Sequence, residues 1–444
     1  MKNKFIYVLL LALPLLFFLQ NIRQDYFYYS DDWDHFALVY NNSFADLFKQ
    51  TMLSADGVWV HHKIITGFFL FKLLYEIFGT PPQVYLIAVF ILNTANIFAF
   101  YSLVQTILQN RRISFFLALI FASFYLSWIS NIHELITAFF VLLGLFSWHK
   151  WLFERKKLQY LFSLIFYLCA MLSKEIAFLL PVALLFVTFG HDFKRARQVL
   201  KSLYPFIFVM VLYGIFYASG FINYFSYEAQ SSYHMSVSTQ IIKNLVIYFS
   251  LTFRGLSANL FWIVAFIVGS LVRDIKAKGK KVTPFVASYF LFLVPPLFFA
   301  NKISDYYVYI PLIFLLIGLG IWLNKSRIIN RTQWSFIFTL CLITFGVFNV
   351  YKEIKDGIYL SIHPRTSNTK IVFAKVVNNV SRFMAADHIA AESLVSIGTR
   401  ERDEGIQFAI DRGALPAFID NPKMEDYIFT YIDGDILIQK INYE

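Results

Sequence analysis

Runs of apolar residues long enough to form membrane-crossing helices recur along this chain of 444 residues. A helix of about 20 residues spans the hydrocarbon core, where backbone polar groups must bond to one another. The hydrophobic fraction of 58% and the mean hydropathy of +0.58 lie far outside the range of soluble domains. The sequence therefore predicts an all-α polytopic membrane protein with about eleven spans. We predict these spans near residues 5–22, 83–108, 113–129, 131–149, 158–173, 175–190, 202–220, 257–272, 284–300, 305–323 and 333–351.

The first twenty residues, MKNKFIYVLLLALPLLFFLQ, combine a basic start with a long apolar stretch. A signal peptide has the same pattern, but no small-x-small cleavage site follows before Arg23. We interpret the stretch as an uncleaved signal anchor that forms the first span. Cys169 and Cys341 both lie inside apolar runs, which argues against a disulfide framework or a cysteine-rich zinc site.

The net charge of +11 has an explanation in the loops. In a soluble protein it would suggest a nucleic-acid partner, which we do not expect here. If the N-terminus is cytoplasmic, about half of the 39 Lys and Arg residues fall in short cytoplasmic loops, as the positive-inside rule requires. The opposite, outer face then carries the acidic stretch after the first span and the chain that follows residue 352.

The outer loop over residues 23–82 is expected to contain short helices. Its stretches 37–53 and 61–79 are apolar on one side and charged on the other, which is typical of helices that lie in the membrane interface. A second outer segment, over residues 221–256, is polar and rich in tyrosine. It could cover the outer face as a lid or a helix pair.

The C-terminal residues 363–444 differ in composition from the transmembrane domain that we predict over residues 1–352. Acidic residues outnumber basic ones there, and hydrophobicity falls. A helical pattern at 369–386, a strand pattern at 393–399 and a hairpin pattern at 427–441 predict a small α/β extracytoplasmic domain.

The acidic motif YYSDDWDH at residues 28–35 follows the first span. It places Asp31, Asp32 and Asp34 at the membrane surface. One interpretation is an ordinary solvated loop. The other is a catalytic site, because neighbouring carboxylates can have separate roles. One can act as a general base and the other as a metal ligand or orienting group.

Further polar residues at the ends of predicted spans map to the same outer face. Most have a simpler explanation: an acid at a helix start, a turn between two spans, or an aromatic belt. His62 and Lys63 could contact a phosphate or a lipid headgroup. Together they could enclose one cavity with the acidic motif. These candidate substrate-binding residues are His62, Lys63, His133, Glu134, Lys174, Glu175, Asp305 and Tyr306.

The order of these motifs resembles that of the GT-C membrane glycosyltransferases, the group of protein mannosyltransferases that use dolichyl-phosphate mannose and of bacterial transferases that use polyprenyl-phosphate sugars. The acidic motif resembles the acidic motif of that group's first outer loop. The stretch at 167–185 is similar to its SKE...P segment, and that at 301–320 to its ERYLYLP segment. Two features depart from the pattern: Tyr306 stands where the group often has arginine, and HHK at 61–63 where an RP pair often precedes the interfacial helix.

The resemblance implies a GT-C-like bundle and a glycosyltransferase that inverts the anomeric centre. Such an enzyme would move a hexosyl or pentosyl unit from a polyprenyl-phosphate donor to a protein, lipid or cell-wall acceptor. Asp31 would act as the base and Asp32 as an orienting partner or metal ligand, although the reaction does not require Mg²⁺ or Mn²⁺. Lys174, Lys63 or His62 would contact the donor phosphate, and Glu134 and Glu175 would support it. A bacterial plasma membrane is the expected location.

Three other functions remain open at this point. A lipid-linked oligosaccharide ligase or polymerase is also polytopic, but we would expect its large outer loop late in the chain. A transporter or flippase would carry polar or helix-breaking residues near the middle of its spans. Here these are few: Asn93, Thr94 and Asn96, and the pair Pro295 and Pro296. The third open function is that of a binding protein without catalytic activity.

Overall fold

The structure is a computed structural model, and part of the chain is described in it. The described residues are 3–23, 31–49, 65–126, 128–191, 199–226, 234–252, 269, 274, 281–299, 303–325, 395–399, 427–432 and 435–440.

Helices make up most of the described part. The α-helices are α1 (Asn3–Arg23), α2 (Asp31–Asn41), α3 (Phe44–Phe48), α4 (Ile65–Phe78), α5 (Pro82–Leu108), α6 (Arg111–Ala122), α7 (Ile132–Glu154), α8 (Lys157–Met171), α9 (Leu180–His191), α10 (Tyr204–Ser226), α11 (Gln240–Thr252), α12 (Thr283–Leu297) and α13 (Tyr309–Lys325). Short 3-10 turns precede three of them: Ile129–Asn131 before α7, Glu175–Leu179 before α9, and Asp305–Val308 before α13.

Among the described residues, three helical segments are long and apolar enough to cross a membrane: Pro82–Leu108, Ile129–Glu154 and Asp305–Asn324. Shorter apolar helices accompany them within the described residues. An α-helical membrane protein is the fold class that these helices fit. Nine of the eleven predicted spans overlap helices of the structure. The count of eleven stays a prediction, because 333–351 and most of 257–272 lie outside the described residues.

One predicted span ends earlier than the sequence indicated. We expected it to cover 113–129, but α6 ends at Ala122. The next residues are still apolar and buried, among them Phe124 and Leu126. Asn93 of α5 holds this non-helical segment, since its amide accepts from the Leu126 N–H (3.3 Å) and donates to the Leu126 carbonyl (2.9 Å). Hydrophobicity alone cannot distinguish such a buried segment from helix, which is why the prediction was wrong here.

Helix α7 lies inside the bundle and packs against α5 and α8. The Ser163 hydroxyl of α8 donates to the Gly144 carbonyl of α7 at 3.0 Å. The Trp148 indole N–H donates to Thr188 of α9 at 3.1 Å. Close contact and interhelical hydrogen bonds of this kind are typical of helix packing in membranes.

The short helices predicted in the first outer loop are present as α2, α3 and α4. Helix α4 packs on α2, where the buried Lys72 ammonium donates to the Val39 carbonyl at 2.7 Å and pairs with Glu76 at 2.5 Å. The opposite side of α4 exposes large apolar residues, Leu73 and Ile77 among them. An exposed apolar side on a short helix fits a position in the membrane interface.

The predicted second outer segment is partly helical. Helix α10 extends to Ser226, further than the predicted end at 220, and α11 occupies Gln240–Thr252. Helix α11 packs against the Asp305–Val308 turn and α12. The Asn244 amide fixes it there by donating to the carbonyls of Leu297 (3.0 Å) and Phe299 (2.8 Å).

In the C-terminal region the structure describes three strands, β1 (Val395–Thr399), β2 (Tyr427–Ile432) and β3 (Asp435–Lys440). Strand β2 lies between the others, parallel to β1 and antiparallel to β3. The predicted strand and hairpin are therefore present. The predicted helix at 369–386 lies outside the described residues, so an α/β domain stays a prediction.

Close helix packing at Gly320 of α13 gives a stability prediction. A Cβ at this position would come within 2.6 Å of Leu117 Cδ1 and 2.7 Å of Leu108 Cδ1, both on buried side chains. Overpacking a core costs about 1–3 kcal/mol. We expect Gly320→Val to lower the apparent melting temperature of the purified protein. Gly214→Val in α10 is the matched control, because its Cβ would meet its nearest atom only at 3.7 Å. Equal melting of the two variants would contradict this packing.

Candidate functional site

The acidic motif forms the first turn of a helix. A solvated loop was one of the two interpretations of this motif, and the helical pattern was expected only over 37–53, but α2 begins at Asp31. The expected position was wrong because acidic residues at a helix N-terminus are stabilised by the helix dipole, which the apolar pattern does not reveal. The side chains of Asp31 and Asp34 lie outside the description, whereas that of Asp32 is fully buried at 0% exposure.

Asp32 is bound to the turn that precedes α7. Its Oδ1 accepts two hydrogen bonds from Ser130, one from the backbone N–H at 2.9 Å and one from the hydroxyl at 2.5 Å. Hydrogen bonds to a carboxylate stabilise its charged form. This contact joins the first turn of α2 to the start of the long α7 helix.

Two histidines extend this cluster. His35 lies one turn after Asp32 on α2, and its Nε2 is 2.5 Å from the Nε2 of His133 on α7. The His35 Nδ1 faces the Ser130 hydroxyl at 3.4 Å. Phe68 and Phe71 of α4 pack on the His35 ring, with centroid distances of 5.4 and 5.2 Å. We call Asp32, His35, Ser130 and His133 the histidine cluster.

A buried ion pair forms the second part of the site. The Lys174 ammonium donates to Glu134 Oε1, and the side chains are 11% and 4% exposed. The same ammonium lies over two aromatic rings, 4.7 Å from the centroid of Tyr306 and 5.1 Å from that of Tyr307. Cation–π contacts of this kind stabilise a desolvated ammonium. We call Glu134, Lys174, Tyr306 and Tyr307 the lysine cluster.

The two clusters meet at consecutive residues of α7. His133 belongs to the histidine cluster and Glu134 to the lysine cluster. Successive helical residues are about 100° apart around the axis, so the two side chains face different neighbours. The first turn of α7 therefore links the acidic motif to a buried cation.

The structure brings together five of the predicted site residues: Asp32, His133, Glu134, Lys174 and Tyr306. Others are placed differently. Asp305 is exposed beside the buried Tyr306. Glu175 is half-buried at the start of the turn before α9, close enough to Glu134 for the two carboxylates to repel each other. His62 and Lys63 lie outside the described residues, so their predicted roles stay predictions.

Sequence reasoning missed His35, Ser130 and Tyr307. His35 was detectable, because it lies three residues after Asp32 and therefore on the same side of a helix that begins at Asp31. Ser130 carried no such signal, since its partner is 98 positions away. Tyr307 has an ordinary aromatic-belt explanation.

A metal site is not apparent in the described part of the chain. No group of three or more His, Cys, Asp or Glu side chains there could hold a metal ion. The suggested metal contact of Asp32 stays a prediction, because the neighbouring Asp31 and Asp34 side chains are not described.

No protein-family model matches this chain, and no curated protein is significantly similar to it. The family resemblance rests on the short motifs and their order.

Removing one charge of the lysine cluster should destabilise the protein. Lys174→Met leaves the buried Glu134 carboxylate without its cation, and breaking a buried pair in this way costs about 3–5 kcal/mol. The double variant Lys174→Met/Glu134→Leu should recover most of that loss, because both desolvated charges are gone. Thermal unfolding of the purified protein measures the difference.

Lys156→Met is the matched control. It also pairs with a glutamate, since its ammonium lies 2.8 Å from a carboxylate oxygen of Glu154, but the side chains are 68% and 38% exposed. Pairs of this kind contribute about 0–1 kcal/mol. If Lys174→Met unfolds at the same temperature as Lys156→Met, the Glu134–Lys174 pair is not buried as described.

Proposed function

We propose that this chain is a membrane glycosyltransferase that moves a hexosyl or pentosyl unit from a polyprenyl-phosphate donor to an acceptor hydroxyl on the outer face of the membrane. The observation that carries the proposal is the direct connection of the histidine cluster and the lysine cluster through His133 and Glu134. An acidic motif and a cation at one end of an apolar helix bundle match the two needs of this reaction. These are a base for the acceptor and positive charge for the departing phosphate.

Lys174 is the proposed contact for the donor phosphate. The ammonium has three donors, and Glu134 Oε1 accepts one of them. Lys174 also lies over the ring of Tyr306, the position at which the resembled family often has arginine. A cation is therefore present beside this position even though the residue there is tyrosine. This arrangement supports Lys174 over Lys63 and His62 as the phosphate contact.

Asp31 is the proposed general base. Asp32 is fully buried and bound to Ser130, so an acceptor molecule cannot reach it without breaking those bonds. Its role is to hold the first turn of α2, which carries Asp31, against α7. Asp31 then takes the acceptor proton as the acceptor oxygen attacks C1 of the sugar. The bond from C1 to the phosphate oxygen breaks on the opposite face, and the anomeric centre inverts.

The apolar surroundings suit a lipid-linked donor. The exposed residues Leu73 and Ile77 of α4 lie on the helix that packs against the histidine cluster through Phe68 and Phe71. A polyprenyl chain in the bilayer can pass along this side while its phosphate stays at the interface. Substrate phosphate and protein base would then meet at the membrane surface.

The test is transfer of labelled sugar from a panel of polyprenyl-phosphate sugars by the purified protein. Membrane lipid extract and cell-wall fractions serve as acceptors. We expect wild type to transfer sugar or slowly hydrolyse one donor. Asp31→Asn should reduce the rate by about 10² to 10⁴, the usual contribution of a general base.

Asp46→Asn is the matched control for this experiment. Asp46 is an exposed acid in the same loop: its Oδ2 accepts from the Ser43 hydroxyl, and its backbone N–H donates to the Ser43 hydroxyl oxygen, a local capping arrangement at the start of α3. Its removal should leave transfer unchanged. Donor consumption that Asp31→Asn does not reduce would contradict the base assignment. If no donor in the panel is consumed, a ligase or a transporter becomes the better hypothesis.

A further inference from the structure

The turn between α7 and α8 carries a cluster of cations at the end of α7 opposite the candidate site. Arg155 is the residue that closes α7, Lys157 begins α8, and both are exposed. A helix rises about 1.5 Å per residue, so this turn lies about 30 Å along α7 from His133. The cluster is therefore separate from the site proposed for the sugar donor.

Aromatic rings form the base of this cluster. The Arg155 guanidinium lies 5.3 Å from the centroid of the Trp151 ring. The ring of Tyr160 in α8 lies 5.3 Å from that of Trp151 and 5.9 Å from that of Phe206 in α10. Tryptophan and tyrosine favour the level of lipid headgroups, because they combine an apolar ring with a polar atom. These rings are what a turn at a membrane–water interface is expected to carry.

A hydrogen bond brings a cation from a second helix to the same place. The Tyr160 hydroxyl donates to the Ser202 carbonyl at 2.7 Å. Lys201, the neighbour of Ser202, is exposed and lies just before α10. Cations at the start of α8 and at the start of α10 are thus tied to one aromatic base.

The cluster has an excess of positive charge. Glu154 pairs with Lys156 at 2.8 Å. In the part of the chain that the structure describes, no acid lies within ion-pair distance of Arg155, Lys157 or Lys201. The described part of the turn therefore carries positive charge that an anion would neutralise.

Exposed apolar residues continue from the cations along both helices. On α8 these include Leu158, Leu161 and Ile165, and on α10 they include Tyr204 and Phe208. Spacings of three or four residues put them on one side of each helix. A lipid whose headgroup meets the cations would therefore find an apolar surface for its acyl chains.

We propose that Arg155, Lys157 and Lys201 bind the headgroup of an anionic phospholipid whose acyl chains lie along α8 and α10. Basic pockets between transmembrane helices are a recurrent arrangement for such headgroups. The lipid phosphate accepts hydrogen bonds from the guanidinium and ammonium groups. The positive-inside rule also accounts for cations in such a turn, but it requires neither an aromatic base nor a tie between two helices. The bound lipid holds the α7–α8 turn against α10, independently of any sugar transfer.

The experiment is native mass spectrometry of the purified full-length protein titrated with phosphatidylglycerol or with phosphatidylcholine of the same acyl chains. Both lipids carry a phosphate, but only phosphatidylglycerol has a net negative charge. We expect one phosphatidylglycerol to bind more tightly than phosphatidylcholine. Lys157→Gln/Lys201→Gln should weaken phosphatidylglycerol binding by about 25-fold, since each basic residue near an anionic lipid surface contributes about 5-fold. Equal affinities of the wild type for the two lipids would overturn the proposal.

Arg111→Gln/Arg112→Gln is the matched control for the charge. The two arginines begin α6, which packs against α1, α5 and α13, and their replacement removes the same charge. We expect this variant to keep the wild-type affinity for phosphatidylglycerol. Equal losses in the two double variants would indicate a general attraction to basic loops and would overturn the site.

A further variant tests the tie between the two helices. Tyr160→Phe keeps every charge but removes the hydroxyl that donates to Ser202. We expect it to weaken the binding of phosphatidylglycerol and to leave that of phosphatidylcholine unchanged. An unchanged affinity for phosphatidylglycerol would mean that the cations need no fixed positions, which would contradict a site built from both helices.

Discussion

The buried pair of Glu134 and Lys174 is the interaction on which the geometry of the site depends. A charge removed from water costs several kcal/mol unless a partner of opposite sign meets it, so neither side chain can stay buried alone. The pair therefore fixes the start of α7 against the turn before α9. The Lys174 ammonium also contacts the ring faces of Tyr306 and Tyr307, which lie in the turn that leads into α13. Three separate parts of the chain meet at one ammonium group.

Because the start of α7 is fixed in place, the residues of α2 that contact it are fixed as well. His133 precedes Glu134, so the position of Glu134 also fixes the ring that contacts His35. Ser130, in the turn just before α7, holds the Asp32 carboxylate. Contacts with the bundle core therefore position the acidic motif, although the motif belongs to a short helix outside that core. A rigid core that positions reactive groups on a connecting segment is a common arrangement in functional sites.

The sequence predicted most of the helices because apolar runs of sufficient length have few alternatives in a membrane. It also predicted that Asp32, His133, Glu134, Lys174 and Tyr306 would lie at one end of the bundle, since each of them stands at the edge of an apolar run. The pairing itself was not predictable. Glu134 and Lys174 are 40 positions apart, and no local pattern says which acid will meet which cation.

Local helix geometry explains the remaining differences between prediction and structure. The contact of His35 depends on a helix that begins at Asp31, and the apolar pattern starts only several residues later. Asp305 and Tyr306 were predicted together, but the 3-10 turn that contains them buries the tyrosine and exposes the acid. Neighbouring residues of a turn point in different directions, so membership of a motif does not decide which side chain enters the site.

The central claim is that the lysine cluster receives the phosphate of a polyprenyl-linked donor. The most direct measurement is thermal unfolding of the purified protein titrated with a short-chain polyprenyl phosphate, with the corresponding free polyprenol as control. A ligand that binds the folded state raises the apparent melting temperature with concentration. We predict that the phosphate raises the melting temperature of the wild type and that the alcohol does not. The rise should be lost in Lys174→Met/Glu134→Leu. An equal rise in that double variant, or an equal rise with the alcohol, would contradict the claim.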